Sequence, residues 1–202
     1  MDAIVYVETN VLMSVAMGRE ARGDDLLAAV SASVRVAIPS GCYMESFSAF
    51  EDEQTRRNRF RAELERQVAQ LGRDTTSANA RDLLRRLEES RIANDELLND
   101  VQTRLFRFVD QAAGILEPIP QTPAVIQRAV TEMLIPDPTD NLILHSILDH
   151  AGQFPGAAKA FLSENTRDFD TEDIRTALAA AGIHRPFRSV ANVLGWLASL
   201  PR

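Results

Sequence analysis

Residues 3–7, Ala-Ile-Val-Tyr-Val, form a continuous apolar run with β-branched and aromatic members, the pattern of a strand covered on both faces. Residues 34–38 and 159–162 repeat it and predict two more strands, while 115–119 and a short piece near Phe187 are read as further ones. Between these runs the apolar spacing becomes helical. Asp24-Asp25 opens a helix carrying Leu26, Leu27 and Val30, with its acids at the positive end of the helix dipole. Thr122-Pro123 reads as an N-cap followed by proline in the first turn, ahead of Val125, Ile126, Val130 and Leu134. Thr171 with Glu172-Asp173 begins another helix, which Gly182 closes. Strand and helix alternate, so the class expected is α/β, a sandwich around a mainly parallel sheet.

The stretch from about residue 51 to 110 breaks that alternation. It contains no proline and one glycine, Gly72, and it places Phe60, Leu64, Val68 and Leu71 at helical spacing. Two long amphipathic helices turning between Gly72 and Ser77 are predicted, forming a hairpin inserted into a single domain that spans residues 1–202. Its 12 arginines face 13 acids, which favours a solvated hairpin with ion-paired faces over an arm that grips RNA.

Composition narrows the function. The net charge is −7, which excludes a protein that coats nucleic acid by bulk electrostatics but leaves room for an acidic, cation-filled cleft that meets phosphates. One cysteine, Cys42, allows no internal disulfide and has no cysteine neighbour for a zinc site. The opening Met-Asp-Ala-Ile-Val lacks the basic and long apolar regions of a secretory signal, and no window approaches a membrane span. A cytoplasmic protein without membrane contact is expected.

Acids recur where predicted strands end. Glu8 follows the first strand directly, in Val7-Glu8-Thr9-Asn10-Val11-Leu12, at the edge where open α/β sheets present their ligand crevice. A charge there costs desolvation unless something binds it, and Thr9 and Asn10 suit a turn that hydrogen-bonds the carboxylate. Glu45 follows the second strand closely, with Ser40 expected to cap the helix that holds Glu45 in its second turn. Asp140 arrives from the turn Pro136-Asp137-Pro138-Thr139 at the start of a helix bearing Leu144, Ile147 and Leu148. A fourth block, Leu162-Ser163-Glu164-Asn165-Thr166-Arg167-Asp168-Phe169, also lies just past a strand. Carboxylates gathered at one sheet edge raise one another's pKa unless cations occupy the site. Mg²⁺ and Mn²⁺ are hard, oxygen-seeking occupants, and a pair roughly 4 Å apart serves phosphodiester hydrolysis.

These four blocks, taken with Phe161-Leu162 ahead of the last and Leu142-Ile143-Leu144 after Asp140-Asn141, resemble the acidic blocks of PIN-domain nucleases, in the family's order and across nearly the whole chain. The resemblance implies a three-layer α/β/α fold and Mg²⁺- or Mn²⁺-dependent endoribonuclease activity on RNA. Many bacterial relatives are toxins of toxin–antitoxin pairs, of the virulence-associated protein C type, and commonly dimerise, so an antitoxin partner and a homodimer are implied as well. Glu8 stands where the family usually has the aspartate of Asp-Thr-Asn, Glu45 matches the glutamate after the second strand, and Asp140 matches the acid that opens the later helix. These three are the implied metal ligands. Asp168 or Asn165 fills the last block, Ser163 sits where a hydroxyl is common, and Thr9, Asn10 and Asp137 are in support. Two departures stand out: Glu8 is one methylene longer than aspartate, and Asn165 is neutral where many members carry a fourth acid.

Plainer readings compete for individual positions. A single acid after a strand is often only a cap or a solvated loop residue, which would suffice for Glu45 or Asp168 alone; four ordered blocks favour a metal site. Asp137 stands between supporting the metal and forming the Asp-Pro turn, and Glu164 is expected to point to solvent. His145 and His150 are five apart and cannot pair as metal ligands at helical i, i+4 spacing; with His184, they are read as packing or surface residues. Cys42 is expected buried, and Trp196 to pack the C-terminal helix on the body. Arg19, Arg22 and Arg167 are candidates for holding RNA backbone. The alternative that Glu8 and Asn165 motivate is a catalytically silent PIN-like module that binds RNA or a protein. A phosphatase would want aspartate at position 8 and an acid at position 10, where the chain has Glu8 and Asn10.

Overall fold

A computed structural model describes residues 2–169 and 171–201, the side chains of Thr166 and Arg167 excepted. The described residues form strands β1 (Ala3–Val7), β2 (Val34–Pro39), β3 (Glu117–Ile119), β4 (Ala158–Leu162) and β5 (Ile183–Phe187), in one sheet of order β3-β2-β1-β4-β5. Every pairing is parallel. All five residues of β1 are buried, so helices cover both faces and the architecture is the three-layer α/β/α sandwich expected. The unbroken apolar run at residues 3–7 is the sequence mark of that double coverage.

Nine helices accompany the sheet among the described residues: α1 (Thr9–Ala16), α2 (Gly23–Ala28), α3 (Gly41–Leu71), α4 (Ala78–Ile115), α5 (Pro123–Thr131), α6 (Pro138–Gly152), α7 (Thr166–Phe169), α8 (Glu172–Ala180) and α9 (Val190–Ser199). The expected caps form. Thr122 accepts the Val125 amide and Thr171 the Ile174 amide through their hydroxyls. Gly182 closes α8 at φ +82°, where a Cβ would also lie 3.0 Å from the Lys159 ammonium. That ammonium donates to the Ala181 carbonyl at 2.9 Å, so the helix end is capped from β4.

α3 and α4 form the long hairpin, with a turn in which Asp74 accepts the amides of Thr76 and Ser77. Their bounds correct the expected 51–110 segment. Because residues 42–71 contain neither glycine nor proline, the helix entered at Gly41 runs without interruption into the hairpin, and Glu45 rides on its first arm. The second arm continues to Ile115, so that residue ends a helix instead of opening a strand; Pro118 biases Glu117 to extended backbone, and β3 starts there. Ser40 is a further correction. Its hydroxyl donates to the Ile119 carbonyl of β3 and makes no cap hydrogen bond to α3.

The hairpin arginines are largely occupied along the hairpin itself, in pairs such as Arg56 and Arg57 with Glu53, Arg61 with Glu65 and Asp95, and Arg85 and Arg86 with Asp82. The last turns of α4 instead join the body, where Val101, Leu105, Phe108 and Ala112 are buried in the main core. No helix among the described residues is long and apolar enough to cross a membrane.

Candidate functional site

The chain steps from β1 through β2 to β3, then returns to the other side of β1 for β4 and β5. That reversal opens a crevice beyond the carboxyl ends of β1 and β4. Val7 is in register with Leu162, so the next residues, Glu8 and Ser163, stand together at its lip.

Glu8 is the N-cap of α1 and only 1% exposed. One carboxylate oxygen accepts the Asn10 amide at 2.7 Å. The other, Oε1, is buried and has no hydrogen-bond partner among the described residues. Burial is the main reason its pKa rises from 4.5 to about 7; the Asn10 amide opposes that rise, as does the Ser163 hydroxyl, near the carboxylate but outside hydrogen-bond geometry, and the charges of Asp140 and Glu45 add to it.

Glu45 lies in the second turn of α3, half-buried, and accepts the Thr9 hydroxyl. The support differs from expectation: the backbone amide of Asn10 serves Glu8, while Thr9 serves Glu45 and ties α1 to α3. Burial raises the Glu45 pKa, with Asp137 contributing repulsion. Asp140, in the first turn of α6, is pushed up to about 6 by burial and then by Glu45, Asp137 and Asp168. Asp137 acts as a turn-former, capping α6 by accepting the amides of Thr139 and Asp140 at 2.8 and 3.1 Å.

The fourth block is held together by its own hydrogen bonds. Asp168 accepts the Asn165 side-chain amide at 2.8 Å, and its own amide donates back to Asn165 Oδ1. The Asn165 amide donates to the Ser163 hydroxyl at 3.0 Å. Glu164 is exposed as expected, yet it does not simply point to solvent: it accepts the Ser14 hydroxyl at 2.8 Å and so joins the block to α1. Arg19 is exposed and lines a cavity with Asn10 and Asn165, Arg22 is paired with Asp25, and the Arg167 side chain lies outside the described residues.

A positioning residue that sequence reasoning passed over is Asn141, 1% exposed. Its carbonyl oxygen accepts the amides of Leu134 and Ile135, and its amide donates to the carbonyls of Ala129 and Glu132. Those four bonds shape the loop that delivers Asp137 and Asp140. Only the Asp-Asn pair opening a helix hinted at it. His145 holds the same loop through the Glu132 carbonyl, and His150 bridges Tyr6 and Glu117. His184 is exposed, Trp196 packs on Phe187, and Cys42 is fully buried behind Thr9, its thiol pKa raised by burial.

Glu8, Glu45, Asp140 and Asp168 are thus linked through mutual repulsion, and the first three are held above ordinary carboxylate pKa values. Among the described residues, no three acidic, imidazole or thiol side chains are drawn close enough to ligate one ion together. The donor chemistry nevertheless fits a hard divalent cation: the groups are all oxygen donors, and Glu8 Oε1 is a buried acceptor without a hydrogen-bond partner among the described residues. A cation there would relieve both the repulsion and the unmet hydrogen-bonding capacity.

No curated protein and no solved structure gives a significant match. The PIN-domain sequence profile, however, matches residues 5–169, from the middle of β1 to the end of α7 with the hairpin included. The chain therefore belongs to the PIN-domain family.

Proposed function

We propose that this protein is a Mg²⁺- or Mn²⁺-dependent endoribonuclease that hydrolyses RNA phosphodiester bonds. Glu8 carries the reading: a buried carboxylate, one oxygen without a partner, at the switch point of the sheet and within electrostatic reach of Glu45 and Asp140. Glu8, Glu45 and Asp140 would hold the ion, with Asp168 completing the acidic wall. When bound, the ion supplies Lewis-acid polarisation of the phosphate and stabilises charge on the leaving oxygen. The protein's own groups prepare that site. Thr9 restrains Glu45, the Asn10 amide fixes one oxygen of Glu8 and leaves the other without a partner among the described residues, and the Asp137 cap sets Asp140 on the first turn of α6.

Asp140→Asn tests the assignment. It should keep the fold, judged by thermal melting, and lower Mn²⁺-dependent RNA cleavage by about a hundredfold or more; unchanged cleavage overturns it. A silent RNA- or protein-binding module is favoured by one observation, that among the described residues no three acidic, imidazole or thiol side chains converge tightly enough to share an ion. Calorimetric titration with Mn²⁺ separates the two, since the silent module takes up no metal at millimolar concentration. A cytoplasmic toxin with an antitoxin partner and a homodimeric state extend this proposal on family resemblance, and a neighbouring reading frame whose small product neutralises the nuclease would support them.

A further inference from the structure

Two cavities lie on either side of the turn after β4, and Asn165 lines both. The first encloses about 440 Å³ including its open mouth, and its lining includes Phe161, Ser163, Phe169, Pro186, Phe187 and Arg188. The second, about 590 Å³, is polar and includes Asn10, Ser14, Arg19 and Glu164.

The aromatic cavity is firmly built. Phe161 and Phe169 are buried and pack at 5.3 Å between ring centroids. Phe187 is half-buried, backed by Trp196 of α9 at 5.8 Å. The Phe187 carbonyl accepts the Ser163 amide at 3.0 Å, so this aromatic platform is joined directly to the turn beside Glu8. On the other side, Arg19 has no ion pair among the described residues; Glu164 shares its cavity but accepts its hydrogen bond from Ser14. Arg19 itself is positioned by the turn at Gly18, its amide donating to the Ser14 carbonyl at 2.9 Å. An aromatic wall that meets the turn beside Glu8 at Ser163, and a cation in the cavity that shares Asn165 with it, match the alternation of base and phosphate along a nucleic acid strand.

We propose that the Phe187 cavity is a subsite for one unpaired nucleobase of the RNA, and that Arg19, across Asn165, takes a neighbouring phosphate of the same strand. The proposal rests on the nuclease reading above. Stacking on an aromatic ring tolerates any base, because every base presents a π-face, while the arginine contact adds salt-dependent affinity independent of sequence. Phe187 and Arg19 are positioning residues for the substrate, outside the acids assigned to the metal.

The test is fluorescence anisotropy of the full chain with a labelled single-stranded ribo-oligonucleotide, with Ca²⁺ in place of Mg²⁺, beside a ribose-phosphate chain of equal length lacking bases. The wild-type protein should bind the base-bearing strand about tenfold more tightly than the abasic one. Phe187→Leu should lose about that factor on normal RNA and nothing on abasic RNA, and Phe187→Trp should retain it. Arg19→Gln should weaken both strands alike and reduce the slope of log affinity against log salt by about 0.7. Equal binding of the two strands by the wild-type protein overturns the base subsite without requiring any variant to fold. A Phe187→Leu protein that folds and binds normal RNA as the wild type does also overturns it, while leaving the nuclease reading intact. No binding to either strand overturns both.

Discussion

Replacing Glu8 with glutamine should stabilise the metal-free protein at alkaline pH. The wild-type carboxyl is 1% exposed and has a folded pKa of about 7 against an ordinary value of 4.5. That interval corresponds to about 3 kcal/mol of folding free energy opposed by ionisation at pH 8. Between pH 4.5 and 7 the folded state retains a proton that the unfolded chain releases, so the stability associated with this group is fully present below 4.5 and is lost as pH rises through about 7. Glu8→Gln keeps an acceptor for the Asn10 amide and cannot ionise, although its new amide group needs a partner of its own. A net gain of about 1 to 3 kcal/mol at pH 8 in EDTA is expected, shrinking toward zero or reversing below pH 4.5. Urea unfolding at both pH values, with and without Mg²⁺, measures it. Mg²⁺ should stabilise the wild type more than the variant. A Glu8→Gln protein with the same stability difference from wild type at pH 4 and pH 8 would refute the claim that burial of an ionisable group dominates this position.

Other consequences follow from the same geometry. Divalent-ion affinity should rise from pH 5 to pH 8, because Glu8 and Asp140 shed protons near 7 and 6 and metal must displace them; calorimetry in buffers of different ionisation enthalpy should detect the released protons, and pH-independent affinity would count against these ligands. Asn141→Ala should cost about 3 kcal/mol by leaving two amides and two carbonyls of the α5–α6 loop without their side-chain partner, read from chemical unfolding; a loss under about 0.5 kcal/mol would show that water replaces it freely. Phe108→Ala should cost about 3 to 5 kcal/mol, because this 1% exposed ring anchors the second hairpin arm in the main core; a near-neutral result would mean that arm is not part of the cooperative unit.

The sequence by itself determined the alternation of elements, the doubly covered central strand, the caps at Thr122, Thr171 and Gly182, and the succession of acids after strand ends. These are local properties: apolar runs, hydroxyls before helices and glycine at positive φ act over a few residues, so they are written in consecutive positions. The edges of the long helices were less legible, because nothing between residues 42 and 71 marks where the body ends and the hairpin begins. Only the tertiary structure decided which partner each polar group takes. Thr9 could serve Glu8 or Glu45 until α1 and α3 were packed together, Ser40 could cap α3 until β3 offered the Ile119 carbonyl, and Asn141 gained its role from a loop folded around it. The aromatic cavity beside Asn165 likewise exists only where β4, α7 and β5 meet. Hydrogen bonds and repulsion between distant positions depend on ångström-scale separations, and parallel strands joined by long crossovers bring together residues whose spacing along the chain carries no trace of that proximity.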